Sequence, residues 1–143
     1  MFQRSLLIIS MVALASSAWT TIPTWAGEDD ACCKDARKMQ CSTCLLTCQK
    51  TMAYCKKKGG KHGEKKHLQV LRDCITMCRT TTELGANGSA LLAKASEVCA
   101  EACKRCAESC EKFDDKVMKD CAAECRQCSA SCKSAEGCHS EKK

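Results

Sequence analysis

Seventeen cysteines among 143 residues carry whatever chemistry this chain performs, and their spacing says more than their number. The twelve residues from Cys99, CAEACKRCAESC, and the twelve from Cys121, CAAECRQCSASC, both read C-x3-C-x2-C-x3-C. At 3.6 residues per turn, steps of 4, 3 and 4 bring Cys99, Cys103, Cys106 and Cys110 within roughly 60° of one another about a helix axis. Cys121, Cys125, Cys128 and Cys132 make a second stripe of the same kind. A third comprises Cys41, Cys44, Cys48 and Cys55, with Met52 on the same face, and Cys74 and Cys78 add a shorter one. A single buried cysteine behaves as a small hydrophobe. Eight of them in one repeated register call for a ligand or for disulfides.

Soft thiolates select Cu(I), Zn(II) or iron–sulfur clusters. Structural zinc wants isolated sets of four ligands held by C-x2-C turns, not a continuous column on straight helices. Cu(I) accepts two or three sulfurs and lets one thiolate bridge two ions, so a column of thiolates suits multiple Cu(I) ions per chain, up to about one per sulfur. The C-x3-C-x2-C triplet also has radical-SAM spacing, but that motif needs a loop on a far larger barrel. Metallothionein-like packing is disfavoured because C-x-C spacing is absent and the intervening residues favour helix.

The elements that must position these thiols follow from the residues around them. Ala, Glu, Lys, Arg, Gln and Ser fill the gaps between cysteines and suit the wet face of a helix. The first helix is expected from Glu28 to Cys55, with Lys56, Lys57 and Lys58 in its last turn. Cys33 lies near the edge of its stripe and Cys32 points away, so that pair reads as a bent lead-in. A basic, glycine-containing connection, Lys56 to Lys66, overlaps the start of a second helix, expected from Glu64 to Glu83. Gly85 reads as a C-cap and Ser89 as the N-cap of a third helix running to Phe113. The fourth spans Asp115 to Ser134, and the short joint at Phe113, Asp114 and Asp115 implies an antiparallel hairpin. The expected fold is therefore all-α: an antiparallel four-helix bundle with a cysteine-lined core.

Composition agrees that sulfur replaces a conventional core. Residues 27–143 hold every cysteine but only twelve Leu, Ile, Val and Phe together. A chain so poor in large aliphatics needs metals or disulfides to fold. Ahead of it, Arg4, the apolar run Leu6 to Ala15 and Thr24-Trp25-Ala26 read as a secretory signal cleaved after Ala26, or alternatively after Ala18. The apolar run is too short for a membrane span. No twin-arginine pair precedes it, which favours the general secretory route. Residues 1–26 are thus expected to be a leader and 27–143 one periplasmic or secreted domain. The net charge of +6 comes with very few aromatics, which gives nucleic-acid binding little support.

The doubled phrase, the thiol stripes on four expected helices and the export signal together resemble the bacterial copper storage proteins, a cysteine-rich four-helix-bundle family. That resemblance implies Cu(I) held inside each bundle by Cys41, Cys44, Cys48, Cys55, Cys74, Cys78, Cys99, Cys103, Cys106, Cys110, Cys121, Cys125, Cys128 and Cys132. It implies a homotetramer and non-enzymatic storage that supplies copper to copper enzymes. In the family, His and Met residues at one bundle end help copper enter; the candidates here are His62, His67, His139, Met39, Met52, Met77 and Met118. The rival reading is a disulfide-stapled secreted helical protein, since a cysteine-dense exported chain usually pairs its thiols. A redox or metal-transfer enzyme is a third class, with no nucleophile, base or open metal site to support it.

Overall fold

The computed structural model describes the backbone of residues 28–137 and the side chains of residues 37–134. Helices α1 (Glu28–Lys58), α2 (Lys65–Ala86), α3 (Leu92–Cys110) and α4 (Lys116–Gly137) follow one another, with a single 3-10 turn (Gly60–Gly63) after α1. Each helix packs on its neighbours in sequence, and α1 also packs on α4. That closes a square of antiparallel helices around one axis, the up-down-up-down arrangement short connections favour.

The helix ends differ from the sequence expectation for local reasons. Gly85 stays inside α2, and the cap lies three residues later. Gly88 takes φ +62, its N–H reaches Gly85 O at 3.3 Å, and Ser89 N reaches Leu84 O at 3.0 Å. This is the paired bonding of a Schellman cap, which needs a left-handed residue at that position. Ser89 does not cap α3 directly; its Oγ accepts from Leu91 N at 3.2 Å in the turn before the helix. Helix α3 stops at Cys110, and Phe113 leaves it to pack its ring on His62 and His67. Asp115 precedes α4, its carbonyl accepting from Lys119 N. Cys32 and Cys33 fall within the backbone of α1 and form no separate lead-in. Their side chains, the leader 1–26, Cys138 and His139 lie outside the described residues.

The buried side chains sit at alternating steps of three and four. On α1 they are Arg37, Cys41, Cys44, Cys48, Thr51 and Cys55. On α2 they include His67, Leu71, Cys74, Cys78 and Thr81. This is the a/d seam of a coiled coil. It gives Thr51 the slot expected for Met52, which is half-buried against the core. Among the described residues the large fully buried apolar side chains are Leu71 and Met118, so cysteine fills the rest. Ala100 and Ala107 on α3 face Ala122 and Ser129 on α4, and Ser129 Oγ donates to Ala100 O at 2.9 Å. Arg126 grips Glu111 with two bonds of 2.9 and 2.8 Å across the same pair.

Candidate metal centre

All fourteen cysteines expected on the seam are buried at 0% exposure, and all are free thiols. Their sulfurs touch along the bundle axis: Cys41–Cys132 at 3.6 Å, Cys78–Cys103 at 3.7 Å, Cys74–Cys103 at 3.6 Å and Cys48–Cys125 at 3.5 Å. A disulfide would bring two sulfurs to about 2.05 Å. The stapled alternative is therefore not the arrangement found.

Four groups of four sulfurs each lie within 4.8 Å. From one end they are Cys41, Cys99, Cys128 and Cys132; then Cys44, Cys78, Cys103 and Cys128; then Cys44, Cys48, Cys74 and Cys125; then Cys48, Cys106, Cys121 and Cys125. Consecutive groups share Cys128, Cys44, and the pair Cys48 and Cys125. Metal–thiolate bonds of about 2.3 Å around a trigonal ion would set sulfurs about 4.0 Å apart. The contacts found are of that size. Cys110 lies next to the row, and its neighbours Cys106 and Cys121, together with burial, push its thiol well above the ordinary value.

The two ends of the row are chemically different. At one, Cys55 Sγ lies 3.6 Å from Met118 Sδ and 3.5 Å from His67 Nε2. Burial, with the charges of Cys121 and Asp115, pushes the Cys55 thiol up to about 11. Burial also holds His67 below its ordinary value, with His62 adding to the shift, so the imidazole is neutral at neutral pH. His67 Nδ1 shares a 2.8 Å hydrogen bond with Ser109 Oγ. The tautomer that donates there leaves its Nε2 lone pair facing the Cys55 sulfur. Outside this pair, His62 Nε2 bonds Asp115 Oδ2 at 2.7 Å, with Lys58 Nζ at 3.3 Å from the same oxygen. Hydrogen bonds from His62 and Lys58 outweigh desolvation and hold Asp115 at about 2.

The other end carries a cation. Arg37, one turn before Cys41, is 4% exposed and donates from Nη1 to Ser96 Oγ at 3.0 Å, while its Nε has no partner among the described residues. Nearby, hydrogen bonds with Cys128 and Cys132 hold the Cys41 thiol below its ordinary value, against its burial.

Of the candidates for the end where metal enters, the structure brings His67 and Met118 to Cys55 and sets His62 beside them on Asp115. Met39 is exposed, Met52 and Met77 are half-buried, and His139 is outside the described residues. Arg37, Ser96 and Thr51 were not expected in the seam. Extending the three-four spacing past the outermost cysteines would have found Arg37, Ser96, His67 and Met118.

The family model described as copper storage protein matches residues 30–137. The chain belongs to that family. Two solved structures have the same fold. The crystal structure of the Nmul_A1745 protein from Nitrosospira multiformis superposes with a TM-score of 0.71 at 34% identity, covering 75% of this chain and 97% of that one. The Cu(I)-bound copper storage protein BsCsp3 superposes with a TM-score of 0.69 at 22% identity, covering 72% and 97%. No curated protein matches the chain. The tetrathiol groups of this chain form one connected row.

Proposed function

We propose that this chain stores many Cu(I) ions in its core and supplies them to copper enzymes, and that it is not itself an enzyme. The observation that carries this reading is the sharing of sulfurs between neighbouring groups. Because of that sharing, at most two of the four groups could close around zinc at once, leaving six seam thiols unused. Charge decides the same way. A buried charge must be paired. Two Zn(II) ions held by eight thiolates leave four negative charges in the core, whereas one Cu(I) per thiolate leaves none.

The fourteen seam cysteines are the proposed ligands. Cu(I) enters where Cys55, His67 and Met118 meet, because a neutral imidazole and a thioether accept a soft cation without first losing a proton. It then advances along the row by exchange between neighbouring sulfurs, each thiol giving up its proton. Arg37 repels cations at the opposite end. The chain is further proposed to be exported by residues 1–26, to act in the periplasm or as a secreted protein, and to assemble as a homotetramer. Exposed Met39 and Leu46, seven residues apart on one face of α1, offer apolar surface for that assembly. No described helix is long and apolar enough to cross a membrane.

The test is an anaerobic Cu(I) titration of reduced residues 27–143 against a competing chelator. Storage requires about ten or more tightly held ions per chain, as bridging thiolates allow. One or two ions would make the protein a carrier and overturn the reading.

A further inference from the structure

Beside the Cys55 end, outside the core, lies a pocket of about 410 Å³ between the start of α2 and the end of α3. His67 and Ser109 form its inner wall, with Phe113 packed against the His67 ring at 4.8 Å. Lys61, Lys66, Arg105 and Lys112 line its rim, against only Glu64 and Glu108. All six are exposed, and none of the four cations makes an ion pair among the described residues. The volume is that of a small-molecule site. The imidazole that closes the pocket touches Cys55, so the pocket and the sulfur row are separated by one ring.

We propose that this pocket docks a small anionic thiol bearing Cu(I), a peptide-sized carrier with carboxylates. This inference rests on the storage reading and names the donor that would load the store. Cu(I) outside the protein travels on soft ligands, and a copper bis-thiolate is an anion. Such a species is drawn to a rim of net positive charge. The carboxylates of the carrier meet Lys66, Arg105 and Lys112, which sets its sulfur against His67. In the transfer, a bond forms between copper and Cys55 Sγ as the bond to one carrier sulfur breaks, and a bond to a second thiol of the row forms as the other carrier sulfur leaves. Each departing carrier thiolate takes up the proton of the protein thiol that replaces it. Copper remains Cu(I) and no electron moves, so no oxidant or reductant is needed. Exposed lysines bind weakly and reversibly, which lets the emptied carrier leave.

The experiment compares uptake of Cu(I) presented by glutathione, a tripeptide thiol with two carboxylates, with uptake from the 2-mercaptoethanol complex, whose thiol carries no carboxylate. Wild-type protein and the Lys66→Glu/Arg105→Glu variant are each tested, and total capacity is measured for both. Docking predicts saturable uptake from glutathione that slows about tenfold or more in the variant and at high salt, with uptake from 2-mercaptoethanol unchanged. Equal rates in the two proteins, or equal slowing with both thiols, would overturn it. S-methylglutathione without copper supplies a second readout. It should shift the backbone amide signals of Ser109, Lys112 and Phe113 in wild type only, and no shift in wild type would also overturn the proposal. A full load reached from both thiols keeps the storage reading intact even if docking fails. A load of one or two ions sinks storage alone, since the S-methylglutathione result is independent of capacity.

Discussion

Two double variants that remove the same number of thiols should behave differently. Cys48 and Cys125 each belong to two of the four tetrathiol groups, whereas Cys99 and Cys132 belong only to the outermost one. Cys48→Ser/Cys125→Ser therefore leaves two neighbouring groups with two sulfurs each, and Cys99→Ser/Cys132→Ser leaves one. With two or three sulfurs needed per Cu(I), the expected loss is about two ions for the central pair against about one for the outer pair. The rates should differ more. The contacts Cys48–Cys121 (3.9 Å), Cys48–Cys74 (3.7 Å) and Cys44–Cys125 (3.8 Å), which join the Cys55 half to the far half, run through the central pair. Without them the remaining link is Cys106 beside Cys74. The far half should then fill about tenfold or more slowly, a barrier increase of about 1.4 kcal/mol or more. The outer variant should fill its remaining sites at the wild-type rate. Stopped-flow uptake with native mass spectrometry of the ions bound at each time reads both quantities. Each buried serine costs about 1–3 kcal/mol if left unpaired, so circular dichroism of the apo forms must first confirm that both fold. Equal losses and equal rates for the two variants would refute the shared-sulfur column.

Met118→Leu and His67→Phe should each slow the first phase of Cu(I) uptake severalfold without lowering capacity by more than about one ion, because both side chains act only where the metal enters; an unchanged rate in stopped-flow uptake would remove them from that role. Arg37→Met should let the Cys41 end admit copper, so that combining it with Met118→Leu restores much of the lost uptake rate, as the same kinetics would register; a double variant as slow as Met118→Leu alone would contradict this. Because the Cys55 thiol is raised to about 11, it keeps its proton through the neutral range and loses it on binding copper. Affinity at that site, read by chelator competition, should rise about tenfold per pH unit for each proton released. The sign for the metal-free fold is opposite. Unfolded thiols ionise near 8.5 while Cys55 stays protonated to about 11, so its contribution is complete below about 8.5 and declines from there to about 11. Urea midpoints of the apo-protein that stay level across that window would contradict the burial of this thiol.

The thiol stripes were legible because helical spacing alone decides which residues share a face. Cys41, Cys74, Cys99 and Cys121 could each be assigned to the seam before any helix was packed on another. What lay beyond spacing was the supercoil. A straight helix places Thr51 and Met52 about equally far from the seam, and the three-four register of a coiled coil selects Thr51. The helix ends were also hidden, for reasons set by the whole bundle. Phe113 has good reason to continue α3 until one sees that His62 and His67 offer it a surface, and Gly85 looks like a cap until Gly88 takes the left-handed turn. The meeting of Cys55, His67 and Met118 combines three helices, and no single stretch of sequence announces it.

Diffraction from crystals of the Cu(I)-loaded protein, with anomalous differences collected at the copper edge, would test the central claim most directly. The account predicts a row of copper peaks along the bundle axis between the levels of Cys41 and Cys55, each bounded by two or three Sγ atoms and many sharing a sulfur with the next. Copper confined to the surface, or a few isolated ions each enclosed by four private sulfurs, would contradict it.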